Sequence, residues 1–79
     1  MVLDVAELLG GKPAKLSRMA AYERAAKKRV PPGRVVTLTG NAPIWFYLRL
    51  AHALHGWARR LLYSSPVTGS VEIFNHSPD

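Results

Sequence analysis

The apolar residues of this chain fall in blocks whose period changes from one block to the next. Val35 to Thr39 is an unbroken aliphatic and β-branched run, Gly40-Asn41 is turn chemistry, and Pro43 sits where the first turn of a helix has no use for a donor. Val35 to Gly56 therefore predicts strand, tight turn, helix. The helix, about Ala42 to His55, is apolar almost all round, through Ile44, Trp45, Phe46, Tyr47, Leu48, Leu50, Ala51, Ala53 and Leu54. Its one polar stripe is Arg49, His52, His55 and Arg59, spaced by threes and fours. Such a helix is covered on more than one side. A neighbouring helix or a second copy of the chain must supply the cover, and a homodimer is the expectation.

Downstream the pattern predicts a strand from Arg59 to Ser64, a turn from Ser65 to Gly69 and a strand from Ser70 to Asn75. Upstream, Asp4 and Glu7 have capping-box spacing, and Gly10-Gly11 would stop the short helix they open. Ala14 to Lys28 is rich in helix formers, with Leu16, Met19, Ala20 and Ala26 near one thin apolar face. Val30-Pro31-Pro32-Gly33 ends that helix, because proline removes donors and fixes φ, and it marks the main internal boundary. The expected fold class is α/β. One β-α-β crossover plus a hairpin forms a small sheet, preceded by one or two N-terminal helices. Residues 1–79 form one domain, with a basic helical segment (1–33) ahead of the β-α-β-β unit (34–79).

Charge changes the picture of partners. The chain of 79 residues has a formal net charge of +6, and most of its cations precede the central strand: Lys12, Lys15, Arg18, Arg24, Lys27, Lys28, Arg29 and Arg34. Polyanions such as nucleic acid or nucleotides suit that surface, with a solvated helix face as the alternative. There is no cysteine, which excludes disulfides and thiolate metal sites. Arg49 interrupts the apolar run well short of the roughly 18 residues of a membrane span. Asp4 and Glu7 stand where a secretion signal carries positive charge. The expected location is the cytoplasm, away from membranes.

Two sets of residues are candidates for chemistry. The Gly40-Asn41-Ala42 turn opens a helix, so its backbone N–H groups and the helix dipole favour an anion, although plain turn chemistry explains the same residues. A crossover brings the second strand parallel to the first. The Gly40 to Trp45 and Ser65 to Gly69 turns should therefore be neighbours at one edge of the sheet. His52 and His55 lie at the other end of the helix, and the returning strand carries His76 to that same end. Three imidazoles meeting there would suit acid-base or metal-ligand roles, and the alternative is a half-exposed histidine pair at a helix C-terminus. Glu72 shares a strand face with His76 but lies four residues away, about 13 Å at roughly 3.3 Å per residue, so the two cannot share one ion, and Asp79 is nearer.

Thr-Gly-Asn-Ala-Pro-Ile-Trp (Thr39 to Trp45), Leu-Ala-His-Ala-Leu-His (Leu50 to His55), Tyr63 to Gly69 with Pro66, and Asn-His-Ser (Asn75 to Ser77) occur in that order. Together they resemble the small CRISPR-associated ring nucleases of the third kind, also described as manganese-dependent RNA deadenylases. The resemblance covers about residues 34–79. It implies a compact α/β protein that forms dimers, or tetramers about a ligand, and that binds and cleaves cyclic tetra-adenylate or RNA. On that reading Gly40, Asn41 and Ala42, with Ser65 and Arg49, bind the ligand. His55, His76 and His52 carry catalysis, and His55 and His76 are the ligands of a manganese ion. Ser65 and Val67 flank Pro66 where the family shows an acidic and a basic residue. Three readings stay open: imidazoles work alone, a second copy supplies the acid, or the chain binds without cleaving. An accessory subunit of a larger complex is a further alternative.

Overall fold

The chain runs β1 (Val2–Asp4), α1 (Val5–Leu9), a 3-10 turn (Leu16–Arg18), α2 (Met19–Arg29), β2 (Val35–Thr39), α3 (Ile44–Leu54), β3 (Arg60–Ser65) and β4 (Gly69–Asn75), in a computed structural model that describes residues 1–76. Ser77 and Asp79 lie outside the described residues. The strands lie in the order β1-β2-β3-β4, the first three parallel and β4 returning antiparallel to β3. This is the expected α/β arrangement, with β2-α3-β3 as crossover and β3-β4 as hairpin.

Side chains alternate across a strand, and the buried strand residues, Leu3, Val36, Leu38 and Leu61, all belong to one face. They meet Phe46, Leu50 and Leu54 of α3 and Met19 and Ala26 of α2 in a single cluster. Both crossovers thus lay their helices on the same side, as successive right-handed connections across a sheet require. Val35 and Leu62, on the other face, are half-buried and stay outside that core. Phe46, Leu50 and Leu54 are fully buried and contribute roughly 1.5–3 kcal/mol each.

The sheet has one strand more than expected. Val2–Asp4 pairs in parallel with β2, and the N-terminal ammonium donates to the Val35 carbonyl at 2.6 Å. Asp4 does cap α1, accepting from the Ala6 N–H at 3.0 Å. Glu7 does not close the capping box, because its carboxylate instead pairs with Arg29 at 2.9 Å.

The second helix also differs from its expected form. It begins at Met19 after the 3-10 turn, whose tighter winding rotates Leu16 out of the stripe and leaves it 62% exposed. Ala20 is exposed too, so Met19, Ala26 and Val30 form the buried edge. Far from packing weakly, α2 docks on α3 through Tyr22 against Phe46, with ring centroids 5.2 Å apart, and through Arg49 to Glu23 at 3.3 Å. The Val30 to Gly33 boundary is stitched down rather than free. Trp57 Nε1 donates to the Val30 carbonyl at 2.7 Å, and the Gly33 N–H donates to the Trp57 carbonyl at 2.9 Å.

In the hairpin, Leu61 lies opposite Phe74 and Leu62 opposite Glu72, so Ile73 is an extra residue, a β-bulge. Opposed residues share a face. The bulge therefore puts Phe74 on the helix side with Leu61 and turns Glu72 to the other side, where it pairs with Arg60 at 3.2 Å. The expectation that Glu72 shares a face with His76 is overturned by that one-residue shift. Among the described residues no helix is long and apolar enough to cross a membrane.

Candidate functional site

The parallel pairing of β2 and β3 brings their C-terminal turns side by side. Thr39, Gly40, Asn41, Ala42, Tyr47, Tyr63, Ser64 and Pro66 line a cavity of about 480 Å³ between them. Gly40 has φ +110° and lies tight against the Asp4 carboxylate and the Ala6 N–H, a place where a Cβ has no room. Tyr47 donates its hydroxyl to the Gly40 carbonyl, and its ring meets Tyr63 edge-on at 5.0 Å. Burial first, then the charges of Tyr63 and Asp4, push the Tyr47 hydroxyl pKa up from its ordinary value.

Among the described residues no lysine or arginine lines this cavity. An anion here would rely on backbone donors and on the positive end of α3, whose N-cap is Pro43. Two candidate ligand residues lie elsewhere. The Ser65 hydroxyl oxygen accepts from the Val67 and Thr68 N–H groups at 3.1 and 3.3 Å, which closes its own turn, and Ser64 faces the cavity instead. Arg49 points along the helix layer to Glu23.

At the opposite end α3 stops at Leu54, and His55 leaves the helix with extended backbone (φ −64°, ψ 123°). The His76 N–H donates to the Arg59 carbonyl at 2.7 Å, which carries the β3-β4 ladder one step past Asn75. Together these bring His55 Nε2 and His76 Nε2 to 2.8 Å, with ring centroids 4.5 Å apart. One nitrogen donates and the other accepts, so the accepting ring carries its proton on Nδ1 and the donating ring carries one on Nε2. Phe74 meets both rings, at 5.2 Å and 5.0 Å, and fixes their planes. His52 stays exposed and joins neither ring, because its partner has left the helix.

The topology thus brings together two of the three histidines and sets them about 16 Å from the turn cavity, the length of eleven helical residues. Asp4 and Tyr63 at the turn end and Phe74 at the histidine end complete the two ends, though the sequence pattern gives none of them a role in chemistry. Asp4 reads as a helix cap until β1 pairs beside β2, and Phe74 reads as an ordinary strand residue until the bulge turns it inward.

Two imidazole nitrogens suit one divalent ion in part. At roughly 2.1 Å from metal to nitrogen, neighbouring octahedral ligands stand about 3.0 Å apart, close to the 2.8 Å found here. Among the described residues no group of three or more His, Asp or Glu side chains is placed to hold an ion. The pair supplies two of six octahedral positions, and manganese also asks for oxygen ligands.

Searches among curated proteins and among solved structures return no match. A family model described as CRISPR-associated protein (Cas_csx3) matches residues 12–79, which takes in both turns, α3 and the histidine pair, and the chain belongs to that family.

Proposed function

We propose that this chain binds cyclic tetra-adenylate at the end of the sheet formed by the Gly40 to Ala42 and Ser64 to Pro66 turns, and that two or more copies together cleave it. The observation that carries the reading is the hydrogen-bonded, edge-on His55–His76 pair, at the end of α3 remote from the turn cavity, in a member of a CRISPR-associated family. A ligand that touches both kinds of end must lie between copies. The homodimer has a surface available to it in the apolar groove of Leu38, Ile44, Tyr47, Leu48, Tyr63 and Ile73, where Ile44 and Leu48 are 79% and 66% exposed.

In cleavage, one imidazole of the pair takes a proton from the attacking hydroxyl and the other supplies one to the leaving oxygen. Where the two nitrogens instead hold a manganese ion, they are no longer free for proton transfer, and the ion would supply charge stabilisation at the phosphoryl oxygens in its place. The second reading, a binder that does not cut, draws support from the missing third ligand among the described residues.

Labelled cyclic tetra-adenylate incubated with the protein, with and without manganese, separates the two. Linear products that appear with manganese and disappear in His55→Ala, while the ring is still retained, support cleavage. Stoichiometric retention of intact ring under every condition favours the binder, and no retention at low salt overturns both.

A further inference from the structure

A second cavity, of about 370 Å³, opens between α1 and the start of α2, and its rim carries Lys12, Lys15 and Arg18. None of these cations pairs with a carboxylate among the described residues. Glu7 also lines the cavity, but its charge is taken by Arg29. The backbone wall is built by Gly10, in the left-handed region with open space around it, and by the Lys15 N–H, which donates to the Tyr22 hydroxyl at 3.4 Å. Tyr22 in turn is anchored on Phe46 in the core.

Three unpaired cations in one concavity repel each other, and a ligand with two or three adjacent negative charges relieves that repulsion through charge-assisted hydrogen bonds. Leu8, Leu9 and Pro13 give the same cavity an apolar side that a ribose or base can cover. The cavity is distinct from the one at the turns: it lies in the helix layer, shares no lining residue with that cavity, and contains the cations the other lacks. Tyr22 beside Phe46 and Glu23 beside Arg49 show that α2 and α3 run side by side in the same direction. The start of α2 therefore lies at the turn end of the molecule.

We infer that the Lys12–Lys15–Arg18 cavity is a second anion site, which takes two or three consecutive phosphates of a nucleoside polyphosphate or of an RNA strand. It stands independently of the ring reading.

The test uses the full chain, with tripolyphosphate, ATP and a fluorescent deca-adenylate as probes. The triple variant Lys12→Gln, Lys15→Gln, Arg18→Gln is compared with a charge-matched control, Arg24→Gln, Lys28→Gln, Arg34→Gln, both checked for a native circular dichroism spectrum. The site predicts amide shifts confined to about residues 8–22 on probe binding. It also predicts at least a tenfold loss of affinity in the first variant and less than threefold in the control. With deca-adenylate, the slope of log affinity against log salt falls by roughly 2 in the first variant, from three lost contacts at about 0.7 each. Loss confined to tripolyphosphate and ATP assigns a compact polyphosphate, and loss that includes deca-adenylate assigns the strand. Equal losses in the two variants, or no shift at residues 8–22 with any probe, overturn the site.

Discussion

Replacing Gly40 by alanine tests how the turn end is built. The added Cβ would fall on the Asp4 carboxylate, with the Ala6 nitrogen at 3.1 Å, on a backbone whose φ of +110° alanine rarely adopts. The backbone strain alone costs roughly 1–3 kcal/mol. Expelling the Asp4 oxygen also breaks its bond to the Ala6 N–H, a helix cap of about 1 kcal/mol. The expected total is about 2–4 kcal/mol, a large share of the roughly 4–12 kcal/mol that a chain of this length has in all. Thermal unfolding followed by circular dichroism should show Tm lowered by at least about 8 °C. Gly33→Ala is the control. Gly33 has φ +78° with nothing within 4 Å, so it carries strain without collision and should lose less. The collision itself is isolated by Asp4→Ala, which removes the carboxylate atoms that Cβ would meet. In that background Gly40→Ala should cost about 1 kcal/mol less than in the wild type. Additivity of the two substitutions within about 0.5 kcal/mol would refute the reasoning, since residues in contact must couple.

Two further predictions concern the surfaces around this end. The Tyr47 hydroxyl has its pKa raised in the folded state, chiefly by burial, so its contribution to stability is fully present below the ordinary tyrosine pKa and is lost as pH rises through the folded value. Absorbance titration should show one tyrosine ionising later than the others, that component should vanish in Tyr47→Phe, and the fall in Tm at alkaline pH should be shallower in the variant. Leu48→Lys places a charge in the exposed apolar groove of α3. Sedimentation should show a smaller assembly than wild type with an unchanged circular dichroism spectrum, and an unchanged sedimentation coefficient would remove this groove from the proposed dimer.

Much of the fold was legible because the hydrophobic period changes where the elements change. The β-branched run of Val35 to Thr39, the Gly40-Asn41 turn and the long apolar helix announce β2-α3, and chain direction alone sends His76 back toward His55. What escaped has physical causes. β1 has three residues, too few to show alternation, and it is held by a partner more than thirty residues away. Leu16 leaves the apolar face of α2 because a 3-10 turn advances by 120° per residue rather than 100°, which moves that side chain off the stripe. The bulge at Ile73 carries no glycine to advertise it, and it separates Glu72 from Phe74 and His76, which regular alternation puts on one face. His52 was grouped with His55 by helical spacing, a rule that lapses once His55 has left the helix.

These departures bear on the proposed chemistry in one direction. With Glu72 turned away and paired to Arg60, the histidine pair has gained an aromatic buttress and lost its nearest strand carboxylate. The carboxylate that does stand in a functional end is Asp4, and it lies against Gly40 beside the turn cavity, where it repels rather than attracts a phosphate. That end has no cation in its own lining among the described residues either, so its attraction for a ring of phosphates rests on the first turn of α3. Each end thus lacks what the other kind of end holds. The turn cavity has backbone donors without an imidazole, and the histidines have proton carriers without an anion cradle. Since α3 keeps the two about 16 Å apart within one copy, the proposed cleavage requires the turn end of one copy to face the histidine end of another.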